Sequence, residues 1–225
     1  MSVWAVVLAC GKDQEISAGV DVAFLALGQR PVLAYSLYTL EQNEQVDGII
    51  LVLKKERVDT ALQMIRTFGL RKVKSIVAGG GQRLACLKKA YDQLPDGATT
   101  ILIHDAARPF VESDVITETV KAGKRYGSAV AAQRSFDAVK LAEKGQKVTK
   151  TLDRSTIWLA QSPQAFKRDI FEKMIKSGLK MVDDESGLLE KTRQETHLVM
   201  SSAENIKIRT VKDLEAASVK ANAAQ

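Results

Sequence analysis

Short apolar runs rich in β-branched residues alternate with amphipathic stretches through the first two-thirds of the chain, and that rhythm leaves few folds open. "VWAVVLA" (3–9), "GIILVL" (48–53), "VKSIVA" (73–78), "TTILIHD" (99–105) and "SAVAAQ" (128–133) read as strands. Between them the spacing predicts a helix over 31–42, with Pro31 at its first position and Leu33, Leu37 and Leu40 on one face. A second helix places Val58, Leu62, Ile65 and Phe68 on one stripe before Gly69, a third covers 82–94, and a fourth follows Ser113, which is able to cap it. Strands joined through helices need crossover connections. The class is therefore α/β, with a doubly wound, mostly parallel sheet. Ligands of such sheets sit beyond the carboxyl ends of the strands, where strand order reverses, which puts residues 9–22, 78–83 and 104–109 on one rim.

From Ser135 the rhythm changes. "FDAVKLAEKGQKVTKTLDRSTIWLAQSPQAF" reads as two extended segments joined by the polar turn "EKGQK", too solvated for a core hairpin, and hence as a projecting β-arm over about 135–160. Helices at 167–177 and about 184–193, strands at 196–202 and 206–209, and a last helix from Val211 complete a single domain over 1–225. The 45% hydrophobic content is enough to fill its core.

The charge narrows the partners. Lys and Arg number 33 against 27 Asp and Glu, a net of +6, which favours anionic ligands. The cations are interleaved with acids rather than gathered in a stripe with aromatics, which argues against nucleic acid as the main partner; a small phosphorylated ligand fits the charge as well. Two cysteines, Cys10 and Cys86, make no disulfide framework and no zinc-ligand spacing, and suit a reducing cytoplasm. The apolar run "MSVWAVVLAC" is too short for a membrane span.

Three stretches can carry chemistry. In "VAGGGQRLACL", Gly79, Gly80 and Gly81 follow a strand and open a helix, where backbone N–H groups favour an anion; a structural turn is the alternative. In "IHDAARPF", Asp105 ends a buried strand, next to the small Ala106 and Ala107 and to Arg108. There it can accept from a sugar hydroxyl or bind Mg²⁺, or pair with Arg108 to hold the loop. His104 is expected to point the other way as a structural histidine. The third set, "FDAVK", "LDRSTIWLAQSPQAF", "DDES" and "ENIKIR", gathers charged side chains in a fixed order.

In that order, HDAARPF, FDAVK, TLDRSTIWLAQSPQAF, VDDESGLLE and ENIKIRTVKDL, the motifs resemble those of the 2-C-methyl-D-erythritol 4-phosphate cytidylyltransferases of non-mevalonate isoprenoid biosynthesis and their pentitol-phosphate relatives, over almost the whole chain. The resemblance implies a Rossmann-like nucleotidyltransferase fold and a homodimer formed by exchange of the β-arm. It also implies Mg²⁺-dependent transfer of CMP from CTP to a polyol phosphate. Carried over, Ala9, Cys10 and Gly11 line the base and phosphate loop, Gly79, Gly80 and Gly81 lie beside the cytosine with Arg83, Cys86 and Ala106, and Lys207 reaches the α-phosphate. Asp105 faces the ribose and acceptor and is the one metal ligand, while Asp137 and Arg154 reach from the arm to grip the polyol phosphate in a partner's site. Lys207, Asp105 and Arg154 are the expected catalytic set.

One loop departs from that pattern. Family members carry an Arg and a Lys that clamp the triphosphate; here those positions are Glu15 and Val22, with Asp13 for a Gly, Ile16 for a Met and Asp21 for a Pro. Cys86 replaces a Ser and Ala138 a Thr. Losing two charge-assisted contacts predicts weakened transfer, with a silent homologue that binds a phosphorylated ligand or a partner protein as the alternative. Cys10 and Cys86 both stand at positions that border the nucleotide pocket in the family the chain resembles, so thiols in contact there would make an oxidisable pair; two separate buried cysteines are the plainer reading.

Overall fold

In the computed structural model, residues 2–10, 15–17, 20–143, 146–178, 184–191 and 194–223 are described. The chain runs through β1 (Ser2–Ala9), β2 (Glu15–Ser17), β3 (Val20–Asp21), β4 (Ala26–Leu27), β5 (Arg30–Pro31), α1 (Val32–Gln42), β6 (Gly48–Lys54), α2 (Val58–Thr67), β7 (Val73–Gly79), α3 (Arg83–Tyr91), β8 (Ala98–Asp105) and α4 (Ser113–Tyr126). It continues through β9 (Ser128–Arg134), β10 (Val139–Ala142), β11 (Val148–Leu152), β12 (Trp158–Lys167), α5 (Arg168–Lys176), α6 (Ser186–Lys191), β13 (His197–Met200) and α7 (Val211–Ala223).

The central sheet has seven strands in the order β13-β9-β12-β8-β1-β6-β7. β1 pairs in parallel with β6 and β8, and β13 with β9, whereas β12 runs antiparallel to both β8 and β9. From β1 the chain first adds strands on one side (β6, β7), then crosses to the other (β8). The crevice at this reversal therefore opens beyond the carboxyl ends of β1 and β8.

Alternation along the strands explains why the sheet is covered twice. On β1, Val3, Ala5, Val7 and Ala9 face one buried cluster, shared with Leu33, Leu37 and Leu40 of α1 and Ile116 and Val120 of α4. Val6, Leu8 and Cys10 face the other, shared with Cys86 and Leu87 of α3 and Phe171 of α5. A period of two on a strand buried on both faces produces this split. A third cluster packs Ala217 and Ala221 of α7 against Val22, Val32, Ala107 and Ile208, closing one side of the crevice.

Several expectations need correction. Pro31 stands at the N-cap of α1 rather than inside it, and Ser113 is the first residue of α4 after the N-cap Glu112, its hydroxyl receiving an Asn43 amide at 2.9 Å. On α2 the buried residues are Ala61 and Met64, with Val58, Ile65 and Phe68 packed around them and Leu62 exposed. At about 100° per residue, those five cluster around Ala61 and leave Leu62 at the margin. The second half of the arm segment rejoins the central sheet as β12, because its apolar stretch through Phe166 is buried between β8 and β9. Only β10 and β11 form the separate antiparallel ribbon. Residues 206–209 are not a strand; Ile208 N–H binds the Ala107 carbonyl at 2.9 Å, and a Thr210–Asp213 capping box starts α7.

α4 approaches β12 through a position that tolerates no side chain. A Cβ on Gly123 would lie 2.7 Å from the Ala165 Cβ and 3.2 Å from its carbonyl. Gly123→Ala is expected to lower stability by about 1–3 kcal/mol through overpacking, read as a reduced urea midpoint; an unchanged midpoint would show that the helix can move off the sheet.

Candidate active site

Three elements bring charge to the switch-point crevice. β8 ends on Asp105, whose carboxylate is buried. Arg83, the first residue of α3, donates to Asp105 Oδ1 at 2.6 Å and holds Glu185 on its other edge, with Nε to Oε1 at 2.5 Å and the second amino group to Oε2 at 3.2 Å. Lys207 places its ammonium 3.1 Å from Asp105 Oδ2, and the Arg108 Nε lies 4.0 Å from the same oxygen. Burial acts to raise the Asp105 pKa, but Arg83, Lys207 and Arg108 bring it far below the ordinary carboxylate range. Arg108, desolvated by burial, falls to about 10 and stays charged at neutral pH.

Local anchoring explains how these side chains arrive. Lys207 lies between two fixed neighbours. Asn205 is buried and gives its amide to Gln161 Oε1 and the Ser162 carbonyl, while Ile208 is pinned to Ala107. The Asn205 carbonyl also accepts from Arg108 at 2.6 Å. His104 organises the turn after β8. It lies 3.2 Å from the Arg108 carbonyl through Nε2 and 3.2 Å from the Ser162 hydroxyl through Nδ1, and that hydroxyl accepts the Asp105 N–H at 3.0 Å. A carbonyl only accepts, so Nε2 carries the proton and Nδ1 receives the serine's. The imidazole is thus a neutral structural link, as expected.

The remaining expected residues divide into those on the rim and those on the arm. Ala9 ends β1 and Cys10 follows it, Cys86 of α3 lies beneath Gly79, and Gly80 and Gly81 are exposed above. Ala106 is buried and its N–H is taken by the Leu8 carbonyl at 2.9 Å, so it ties the end of β8 to β1 rather than presenting a donor to the crevice. Gly11, Lys12 and Asp13 lie outside the described residues, as does the Glu15 side chain. Asp137 and Arg154 stand exposed on the arm, and the described Arg154 hydrogen bond goes to the Phe136 carbonyl at 2.7 Å. One protomer therefore does not bring them to Asp105. The arm nevertheless leaves from the carboxyl end of β9, which runs in the direction of β8, so it projects from the rim on which Asp105 lies.

Of the altered loop's acids, Asp21 is neutralised by neighbouring cations. Asp21 is buried and paired with Lys54 at 2.5 Å and Arg57 at 2.8 Å. Its burial opposes ionisation, but the two cations hold its pKa below the usual value. Val22 faces the core. Sequence reasoning did not pair Glu185 with Arg83 or Lys54 and Arg57 with Asp21. These contacts join residues far apart in the chain, and the only local signal was a cluster of unlike charges.

Mg²⁺ does not fit the Asp105 carboxylate as arranged. Its two oxygens are occupied by Arg83 and Lys207, so a divalent cation would meet three positive charges there. Among the described residues no group of three His, Cys, Asp or Glu side chains is set to hold a metal.

A cation-lined crevice at the reversal point of a doubly wound sheet suits the phosphates of a nucleotide, and this fold is that of the nucleotidyltransferases. A 2-C-methyl-D-erythritol 4-phosphate cytidylyltransferase of Dehalococcoides mccartyi is 34% identical over 217 residues, covering 96% of this chain and 95% of its own length. One from Geobacillus kaustophilus is 32% identical over 95% of this chain and 94% of its own length. The crystal structure of the 4-diphosphocytidyl-2C-methyl-D-erythritol synthase of Anaerococcus prevotii superposes with a TM-score of 0.86 at 26% identity, over 98% of this chain and 96% of that one. The family model for 2-C-methyl-D-erythritol 4-phosphate cytidylyltransferase matches residues 3–222, and the chain belongs to that family.

The neutral His104 has a measurable consequence. Burial lowers its pKa from 6.5 to about 4, so between these values the unfolded chain takes up a proton that the folded chain refuses. Stability is expected to be fully present above pH 6.5 and to fall by roughly 3 kcal/mol towards pH 4. Denaturant midpoints across that range measure it. His104→Gln should be less stable throughout yet lose this part of the slope, and equal slopes in the two proteins would refute the assignment.

Proposed function

We propose that the chain transfers CMP from CTP to 2-C-methyl-D-erythritol 4-phosphate and releases pyrophosphate. The observation that carries this reading is the convergence of Arg83, Arg108 and Lys207 on Asp105 at the switch point, in a chain whose family match spans residues 3–222. Three cations against Asp105 and Glu185 leave one net positive charge, 3 − 2 = 1, at a largely desolvated site. An acceptor phosphate oxygen attacks the α-phosphorus in line; the new P–O bond forms as the bond to the bridging oxygen breaks, and pyrophosphate leaves with the electron pair. Lys207 neutralises charge on the α-phosphate, and Asp105 holds Lys207 and Arg83 in place before substrate arrives. The backbone of Gly79, Gly80 and Gly81 is the place for the base.

The divalent cation is proposed to enter on the triphosphate rather than in a cage of protein ligands. Weakened turnover remains the expectation from the Glu15 and Val22 positions, and the family match does not favour a silent homologue. No helix of the described residues is long and apolar enough to cross a membrane; we place the protein in the cytoplasm, where its nucleotide and polyol phosphate would be found. Pyrophosphate release with CTP, the erythritol phosphate and Mg²⁺ tests the reading. Lys207→Ala should lower kcat by about 10²- to 10³-fold, and absence of turnover in the parent protein at high concentration would overturn it.

The acceptor grip is proposed to come from a second copy. Asp137 and Arg154 do not reach Asp105 within one protomer, and the arm exposes Phe136, Leu141 and Val148, apolar side chains that a partner arm would cover. Leu141→Glu with Val148→Glu should shift the mass in light scattering from dimer to monomer and raise KM for the acceptor. A parent protein that is already monomeric at working concentration would refute the exchange.

A further inference from the structure

Beneath Gly79 two thiols meet. Cys10, at the end of β1, points to the face that α3 covers, and Cys86 sits one turn into that helix. Their sulfurs are 2.9 Å apart, a hydrogen-bond contact shorter than van der Waals separation and not yet a covalent bond. Cys86 Sγ also accepts the Gly80 N–H at 3.4 Å. A Cβ built on Gly79 would lie 3.0 Å from Cys86 Sγ and 3.1 Å from Cys10 Sγ, so the first glycine of the rim rests directly on the pair. The thiol pair is buried, while Gly80 and Gly81 above it are exposed.

We propose that Cys10 and Cys86 form a redox-active dithiol that a hydroperoxide or a small disulfide closes to an intramolecular disulfide under the nucleotide-binding rim. The electronic setting favours the attacking form. The Cys10 hydrogen bond lowers the Cys86 pKa against the effect of burial, and the Gly80 N–H, Lys89 and Arg83 act in the same direction. With a peroxide, the Cys86 thiolate attacks one oxygen, the O–O bond breaks, and a sulfenic acid forms as the departing oxygen leaves as water with the thiol's proton. The Cys10 sulfur then displaces the sulfenic hydroxyl, which leaves as a second water with the Cys10 proton. One peroxide is reduced and two thiols are oxidised; with a small disulfide the Cys86 thiolate instead breaks its S–S bond to form a mixed disulfide and release one thiol, Cys10 then displaces the second thiol, and an added dithiol reverses either change.

Closure draws the sulfurs from 2.9 Å to about 2.05 Å and fixes their torsion. The end of β1 and the first turn of α3 then move relative to Gly79, which lies over the pair without room for a side chain, and Arg83 on that turn shifts against Asp105. Loss of nucleotide turnover on closure rests on the function proposed above.

The test treats the reduced parent protein with hydrogen peroxide or oxidised glutathione. Three readouts follow: thiols titrated after denaturation, the peptide map under non-reducing digestion, and pyrophosphate release before and after dithiothreitol. The expected result is loss of both thiols together, a peptide joining Cys10 to Cys86, and a rate that falls about tenfold, as for one lost phosphate contact, and returns on reduction. In Cys10→Ala and in Cys86→Ala the ratio of oxidised to re-reduced rate should approach unity, whatever the basal rate of each variant. Two thiols still titrating after oxidation, or a joined peptide with an unchanged rate, would overturn the proposal. A reduced protein without turnover would instead count against the proposed function, and the thiol titration and peptide map would still decide whether the pair closes.

Discussion

The buried Asp105 carboxylate organises the crevice. It receives Arg83 from α3 and Lys207 from the segment before α7, with Arg108 of its own turn beside it, so one side chain joins three parts of the chain that share no local sequence. A carboxylate out of water is stable only when its charge is balanced and its oxygens are bonded, and removal of one partner from such a network costs about 3–5 kcal/mol. The same balance makes the site useful. On the function proposed above, each cation would already be oriented when a phosphate arrives, so little reorganisation would be left for the reaction.

Support for that carboxylate is itself layered. His104 fixes the turn between β8 and Arg108, Ser162 links that turn to β12, and Asn205 ties both to the stretch carrying Lys207. Glu185 performs the same service for Arg83. β12, the antiparallel strand, is what allows this, since its reversed course brings Gln161 and Ser162 back to the rim where β8 ends.

Much of the fold is legible in the chain because its cause is local. Alternation of β-branched runs with helical stripes compels crossovers, and the strands at 3–9, 48–53, 73–78, 99–105 and 128–133 appear within a residue or so of their expected ends. The errors lie where two local codes overlap. Leu62 satisfies helical spacing from Val58 but falls at the edge of the buried arc, and "IKIR" has a strand's alternation but pairs only through Ile208. β12 looked like part of an exposed arm because nothing near it in sequence indicates that β8 and β9 are waiting on either side.

By itself the sequence determined the α/β class, the rim on which the strands β1 and β8 end, and the order of motifs that marks the family, since periodicity and short motifs are properties of neighbouring residues. Only the tertiary structure decided which charges meet. Asp21 is neutralised by Lys54 and Arg57 rather than confronting a phosphate, Arg83 is shared between Asp105 and Glu185, and Cys10 touches Cys86 beneath Gly79. Each of these contacts depends on packing between separate elements, where burial strengthens a charge or thiol interaction that would be weak in water.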